Sequence, residues 1–196
     1  MALLDRFARN SPLPVLRGER VHLRLPQAAD WAEWAQLRAE SREFLTPWEP
    51  TWPSDALTRG AFRRRLRRHA REARDDSAYA FLIFRQGSDA LLGGVTLSNI
   101  RRGVTQSGSV GYWIGRQYVR QGYMSDALCT VVHFVFDQLH LHRLEAACLP
   151  SNEASKAALR RVGFTEEGYA RQYLCIDGIW RDHVLFAILA GDQRRR

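Results

Sequence analysis

Gly111-Tyr-Trp-Ile-Gly-Arg-Gln-Tyr-Val-Arg-Gln-Gly-Tyr-Met-Ser-Asp-Ala-Leu128 reads as a strand that ends in a glycine turn and passes straight into a long apolar helix. At such a junction the first backbone N–H groups of the helix have no partner within it, and the helix dipole favours negative charge in front of them. Gly122 allows a positive φ and lets a ligand approach the backbone, while Ser125 and Asp126 are residue types that cap the helix that follows. The junction therefore reads as a phosphate seat. An ordinary strand-to-helix turn has the same local pattern, so the surrounding segments decide between the two readings.

Working outward, residues 143–149 read as the next strand and 152–162 as a short helix closed by Gly163. Upstream, strands are expected at 79–85, 91–99 and 108–115, the first two joined by a turn at Gly87, Ser88 and Asp89. The helix at 125–139 carries apolar side chains nearly all round and should be buried. Two last strands, 169–176 and 180–189, turn at Asp177-Gly178. Towards the N-terminus, a half-buried strand at 20–25 stops at Pro26, and Asp30 caps a helix that runs to about Leu45. Pro47-Trp-Glu-Pro50 and Pro53 then force an extended loop. Hairpins interleaved with helices make a mixed α/β sheet flanked by helices.

Composition sets the outer bounds. A chain of 196 residues, 45% hydrophobic and without low-complexity segments, is expected to form one globular domain over residues 1–196. No apolar run approaches the ~20 residues of a membrane span. Asp5, Arg6 and Arg9 interrupt the N-terminus and argue against a cleavable leader. Cys129, Cys148 and Cys175 lack the paired spacing of a metal or redox site and read as buried free thiols in a reducing cytoplasm. No metal is expected. The net charge of +8 suits a polyanionic partner, and much of it lies in 59–74, an amphipathic helix whose apolar side is Phe62, Leu66, Ala70 and Ala73. Those arginines are either a solvated face or a surface for nucleic acid.

The order strand, glycine turn, buried helix, strand, Pro150-Ser-Asn-Glu-Ala-Ser155, helix, Gly163-Phe164 resembles the GNAT N-acetyltransferases, and within them the RimJ/RimL branch. The matching elements run from Val21 to about Ile188. The most specific are Gly111-Tyr-Trp-Ile114, Gly122-Tyr-Met124, Leu141-His-Arg143, Asn152-x-x-Ser155 and Gly178-Ile-Trp-Arg-Asp-His183, supported by Pro47-Trp-Glu-Pro50 and Ser98-Asn99. The resemblance implies the GNAT acyl-CoA N-acyltransferase fold, a mixed, mostly antiparallel sheet flanked by helices with a splayed pair of parallel strands. It also implies acetyl-CoA in that cleft, its pantetheine paired with the backbone of Trp113 and Ile114, its pyrophosphate on Arg120, Gln121, Gly122, Tyr123, Met124 and Ser125, and Asn152 beside it. Val119 and Met124 depart from the family's usual phosphate motif, which a seat made of backbone tolerates.

Amine acetylation needs a neutral amine, stabilisation of an oxyanion and a proton for the departing thiolate. Leu159 occupies the position at which much of the superfamily has a proton-donating Tyr, and the resemblance implies that Ser155, the remaining hydroxyl, stands at the position used in the RimL-like branch to contact the thiol. Capping of the helix is the plainer role for Asn152 and Ser155, and the two roles are compatible. No Asp or Glu occurs between Leu97 and Gln117, so the base is sought elsewhere: Glu49 first, with Asp182 and His183 second. Trp48, Asn99 and Asp182 are the expected acceptor-side residues.

The resulting reading is an acetyl-CoA-dependent transferase acting on a protein N-terminal α-amine, that of a ribosomal protein in the RimJ/RimL reading. A small-amine or antibiotic acetyltransferase is the alternative within the class. The alternative outside it is a ribosome- or RNA-associated protein whose arginine helix, 59–74, is the working surface.

Overall fold

The computed structural model describes residues 15–193. Asp5, Arg6, Arg9 and the terminal Arg194 to Arg196 lie outside the described residues, as does any leader they bear on. The strands are β1 (Leu16–Arg17), β2 (Val21–Arg24), β3 (Tyr79–Arg85), β4 (Leu91–Arg101), β5 (Ser107–Ile114), β6 (Arg143–Cys148), β7 (Thr165–Ile176) and β8 (Ile179–Leu189). They form one sheet in the order β1-β2-β3-β4-β5-β6-β8-β7. Every neighbouring pair is antiparallel except β5 and β6.

That parallel pair is the architectural break. β5 and β6 are in register only at Ser107 with Arg143, Gly108 with Leu144 and Ser109 with Glu145. Beyond Ser109, β5 stays with β4 as far as Ile114 opposite Gly93, and β6 stays with β8 as far as Cys148 opposite Val184. The sheet thus divides into two leaves joined at a short seam, and the far end of β5 has no strand on its β6 side. The mixed, mostly antiparallel sheet with a splayed pair is as the sequence led one to expect.

Both faces of the sheet are covered, which is why β3 is an unbroken apolar run. Phe81 and Ile83 point to the face packed by α4 (Tyr123–His133) and α5 (Glu153–Val162), where Ala127, Leu128, Val131 and Val132 are buried. Leu82 and Phe84 point to the other face, where α1 (Trp31–Glu40) and α3 (Arg59–Arg74) supply Trp34, Leu37 and Phe62. Phe62 is the only fully buried residue of α3 and meets Trp34 at 5.0 Å between ring centroids. Burial of one such ring is worth about 2–3 kcal/mol, so α3 is attached through a narrow apolar stripe and leaves its arginines outside.

Several expectations need correction. The helix expected at 30–45 breaks at Ser41 into α1 and a short α2 (Arg42–Leu45), because the buried Ser41 hydroxyl accepts the backbone N–H of Arg116 across the fold at 3.0 Å. Asp30 does not cap it; its carboxylate receives Arg24 at 2.8 and 2.6 Å and the N–H of Gln27 at 2.6 Å. α4 begins at Tyr123 and gives way to a wider π turn at Phe134–Gln138, which buries Phe134, Val135 and Phe136. Cys148 is buried, but Cys129 is only partly covered and Cys175 is exposed on β7. Among the described residues, no helix is long and apolar enough to cross a membrane, and no cluster of His, Cys, Asp or Glu could hold a metal ion.

Candidate active site

The phosphate seat keeps its donors open by an indirect route. Gly122 is the N-cap of α4 at φ +83°, and no side chain closes onto the first turn. Asp126, expected as a cap, faces away: it accepts the backbone N–H groups of Glu19, Arg20 and Val21 at 3.1, 2.8 and 3.1 Å. Its charge is spent tying the β1–β2 turn to the helix, and Ser125 does not cap either. Tyr123 and Met124 bury their side chains, so their contribution to an anion is through backbone N–H. Arg120 also has a positive φ, +59°.

Two arginines that the sequence reading passed over add positive charge here. The Arg20 guanidinium donates to the carbonyl of Gln121 at 2.5 Å and lies 4.5 Å over the Tyr123 ring; Arg85 lies 5.5 Å from the same ring. Both cations lie against the residue that opens α4, so they add to the positive end of the helix, and the residue types at this turn fit an anionic group of phosphate type.

The seat follows directly from the open edge of β5. Trp113 and Ile114 pair with Gly94 and Gly93 on the β4 side and have no strand on the other. The Trp113 ring lies flat across β4, where a Cβ on Gly94 would come within 2.6 Å of its Nε1. Gly94 is therefore a packing requirement of this tryptophan, whereas a Cβ on Gly93 would run into the β5 backbone itself, at the Trp113 carbonyl oxygen. Alternation along β5 puts Tyr112 on the opposite face, and its hydroxyl meets the Ser155 hydroxyl of α5 at 2.7 Å. Asn152 is the N-cap of α5, its Oδ1 accepting the N–H of Ser155 at 3.0 Å. The Asn caps the helix, and the Ser hydroxyl takes no part in the cap. Burial pushes the Tyr112 phenol above its usual range, against the hydrogen bond to Ser155. Burial likewise raises the Cys148 thiol on β6, and Ser155 beside it counters the shift.

The acceptor-side residues are brought together only in part. Glu49 is not a free carboxylate. Its two oxygens receive the Arg38 guanidinium at 2.7 and 2.6 Å, and Trp52 Nε1 donates to it at 2.8 Å. Arg38 in turn lies between the rings of Trp52 and Trp113, 4.1 and 4.8 Å from their centroids. To take a proton from an amine, Glu49 would have to give up part of this pair, so its geometry is that of a clamp. Trp48 lies next to it in a short 3-10 turn, Thr46–Trp48. The β7–β8 turn reaches the same loop: the N–H of Asp177 donates to the Glu49 carbonyl at 3.0 Å.

Asp182 and His183 do not act as a pair. Asp182 holds a bulge in β7, accepting from Tyr169 at 2.6 Å and from the N–H of Gln172 at 2.8 Å, and the Tyr169 hydrogen bond keeps its carboxyl below the usual range. His183 is buried, with Nδ1 3.0 Å from the carbonyl of Arg181 and its ring edge-on to Tyr173. Asn99 sits exposed at a bulge near the seam end of β5, opposite Ser107 to Ser109, away from the splayed end that holds Ser155.

Sequence reasoning missed Tyr112, Arg38 and Trp52. Two signals were available: the period of two in β5 places Tyr112 opposite to Trp113, and an arginine one turn after the apolar Trp34 needs a buried carboxylate.

A cleft between splayed parallel strands, with an uncapped helix N-terminus at its end, defines the acyl-CoA-binding N-acyltransferases. Residues 20–165 match the acetyltransferase (GNAT) domain, and the chain belongs to that family: it is an N-acetyltransferase. It is 34% identical to the [ribosomal protein uS5]-alanine N-acetyltransferase of Escherichia coli over 95% of this chain and 96% of that one. The crystal structure of ribosomal-protein-S5-alanine acetyltransferase from Vibrio fischeri superposes with a TM-score of 0.84 at 30% identity, covering 93% of this chain and 100% of the other. Mycobacterium smegmatis RimJ in complex with CoA-disulfide superposes at 0.82 with 34% identity, over 92% and 86% of the two chains. The enzyme is of the RimJ/RimL type.

Proposed function

We propose that this chain transfers the acetyl group of acetyl-CoA to a protein N-terminal α-amine, specifically that of a ribosomal protein. The observation that carries this reading is the uncapped N-terminus of α4, at Gly122, together with the open edge of β5 and the Ser155 hydroxyl that Tyr112 of that strand reaches. The relatives support it: one carries CoA as a disulfide, and others are alanine N-acetyltransferases of ribosomal protein S5.

In this reading the backbone N–H groups of Tyr123, Met124 and Ser125 hold the pyrophosphate, with Arg120, Gln121 and Arg20 alongside, and the β5 backbone at Trp113 and Ile114 pairs with the pantetheine arm. Bound acetyl-CoA supplies an activated acyl thioester. Asn152 holds the start of α5 in place, and Ser155 gives a proton to the departing sulfur. The acceptor enters between the loop of Trp48 and Glu49 and the β7–β8 turn, with Asp182 keeping the β7 bulge in shape. An α-amine, with its ordinary pKa of about 7.7–8.0, loses its proton to water readily near neutrality. Glu49 then serves as the anchor of Arg38 and Trp52 on the wall of the entrance, not as the base.

Incubation with labelled acetyl-CoA and a panel of acceptors tests the proposal. Transfer to Ala-initiated ribosomal peptides is expected. Transfer confined to lysine side chains, polyamines or aminoglycosides would replace the acceptor, and no transfer at all would remove the reading. The +8 charge would repel a free basic ribosomal protein, so an encounter on a nascent particle, with α3 against ribosomal RNA, belongs to the same proposal.

A further inference from the structure

The Tyr112 hydroxyl is the closest polar partner of Ser155, 2.7 Å away, and it reaches across from β5 to α5 beside the opening between the two leaves of the sheet. We propose that Tyr112 is a positioning residue for proton delivery: its phenol donates to the Ser155 oxygen and thereby turns the single Ser155 hydrogen towards the thioester sulfur. The inference rests on the acetyl-CoA reading above and assigns the residue that makes Ser155 directional.

The direction of the bond follows from the chemistry of the two hydroxyls. A phenol is a better donor than an alkanol, and an alkanol oxygen is the better acceptor. Burial holds Tyr112 neutral, so its hydrogen is present throughout the working pH range. Ser155 has one hydrogen. If it were given to Tyr112, none would remain for a leaving group, whereas accepting from Tyr112 leaves it free and makes it more acidic by polarisation. The Ser155 backbone is fixed separately, its N–H held by Asn152 at 3.0 Å, so the orientation of the hydroxyl hydrogen is set by its side-chain neighbours. The other titratable group beside Ser155 is Cys148, whose thiol burial keeps protonated; it shares a hydrogen bond with the Ser155 hydroxyl, and a neutral thiol sulfur is a weak acceptor that gives way to a developing thiolate.

The step balances without another reactant. The amine nitrogen forms the C–N bond, the C–S bond breaks with its electron pair going to sulfur, and sulfur takes the Ser155 hydrogen. The nitrogen gives up one hydrogen to solvent, and Ser155 is reprotonated from solvent. Tyr112 keeps its own hydrogen throughout.

The test is a double-mutant cycle of Tyr112→Phe and Ser155→Ala, with kcat and KM measured on acetyl-CoA and an Ala-initiated peptide. The ionisation of the thiol of bound CoA is followed in the same four proteins. Tyr112→Phe removes one hydroxyl and keeps the ring, so melting temperature and KM for acetyl-CoA should stay at wild-type values while kcat falls about five- to tenfold. In the Ser155→Ala background the same change should have no further effect on kcat, and it should leave the CoA thiol pKa unmoved although it raises that pKa in the wild type. An equal loss in both backgrounds, a wild-type kcat in Tyr112→Phe, or a loss accounted for by unfolded protein overturns the inference. The thiol titration needs no acceptor: should the wild type transfer acetyl to no amine, the functional reading fails while the thiol arm still decides the role of Tyr112. Should CoA itself not bind, both fall together.

Discussion

Arg38 and Glu49 close a two-armed ion pair, 2.7 and 2.6 Å long, between the rings of Trp52 and Trp113. Only 10% of the Arg38 side chain and 19% of that of Glu49 is exposed, so neither charge has water as an alternative partner. Glu49→Gln keeps the shape and strands the cation, at a cost of about 3 kcal/mol. The expected result is a lower melting temperature and a higher KM for peptide, with a rate deficit that is constant between about pH 6.5 and 9.5. Steady-state kinetics across that range checks it, and recovery of the rate at high pH would make Glu49 the base after all.

Gly122 opens the proposed cofactor seat, and its φ of +83° dictates which substitution is informative. A β-branched residue there is strained irrespective of ligand, and its Cβ would lie 3.2 Å from the Arg20 guanidinium. Gly122→Val should therefore lower stability as well as affinity. Asn tolerates the left-handed region and still places a side chain over the open N–H groups. Calorimetry on Gly122→Asn should show CoA affinity reduced at least tenfold with the melting temperature within a few degrees of wild type. Unchanged affinity would move the phosphate site elsewhere.

The division of labour proposed for the start of α5 separates a cap from a proton donor. Asn152→Ala removes the cap on the Ser155 N–H and should cost about 1 kcal/mol of stability. Ser155→Ala leaves that cap in place and should reduce kcat by roughly 10²-fold with little change in stability. Melting curves and turnover on the two variants give the answer. The assignment is wrong if Ser155→Ala melts early and turns over normally.

α3 carries eight arginines against Glu72, which is +7 of the +8 net charge of the chain. Arg63, Arg67 and Arg71 are exposed and one helical turn apart. Changing all three to Glu should weaken binding to structured ribosomal RNA and flatten its dependence on salt, by about 0.7–0.9 in log–log slope for each phosphate that is no longer neutralised. Acetyl transfer to a short peptide should stay near the wild-type rate. RNA affinity that is indifferent to salt or to these charges would leave α3 a solvated face.

His69 predicts how stability responds to acid. Burial lowers its imidazolium below the ordinary value, with Arg68 and Arg65 acting in the same sense and Glu72 opposing. Below about pH 6.5 the unfolded chain takes up a proton that the folded chain refuses, so stability falls on acidification through that window and levels off below the folded value. His69→Asn should flatten the melting-temperature profile between about pH 5 and 7. The Arg143–Glu167 pair, which holds the Glu167 carboxyl low, loses its contribution only at lower pH, in the carboxylate range.

Elements whose signals are local could be read from the chain alone. α3 runs over the expected residues because Thr58 accepts the N–H of Ala61 and the apolar stripe has helical period. α5 begins at its Asn cap and ends at Gly163, at φ +111°. The hairpin of β7 and β8 turns at Asp177 and Gly178, whose positive φ values a short polar side chain tolerates and the lack of a Cβ allows. The uncapped start of α4 was readable for the same reason: it needs only a glycine and a helix start, both written within a few consecutive residues. The rest was fixed by the folded arrangement, because the deciding partner in each case lies far along the chain. Ser41 breaks a helix by bonding to Arg116, Asp126 leaves its own helix for Glu19, Arg20 and Val21, and Tyr112 finds Ser155 across two leaves of a sheet. Glu49 is near Arg38 in sequence, but its capture depends on Trp113 closing the other side of the guanidinium. A polar side chain settles on whichever partner satisfies it when water is excluded, and that choice exists only once the chain has folded.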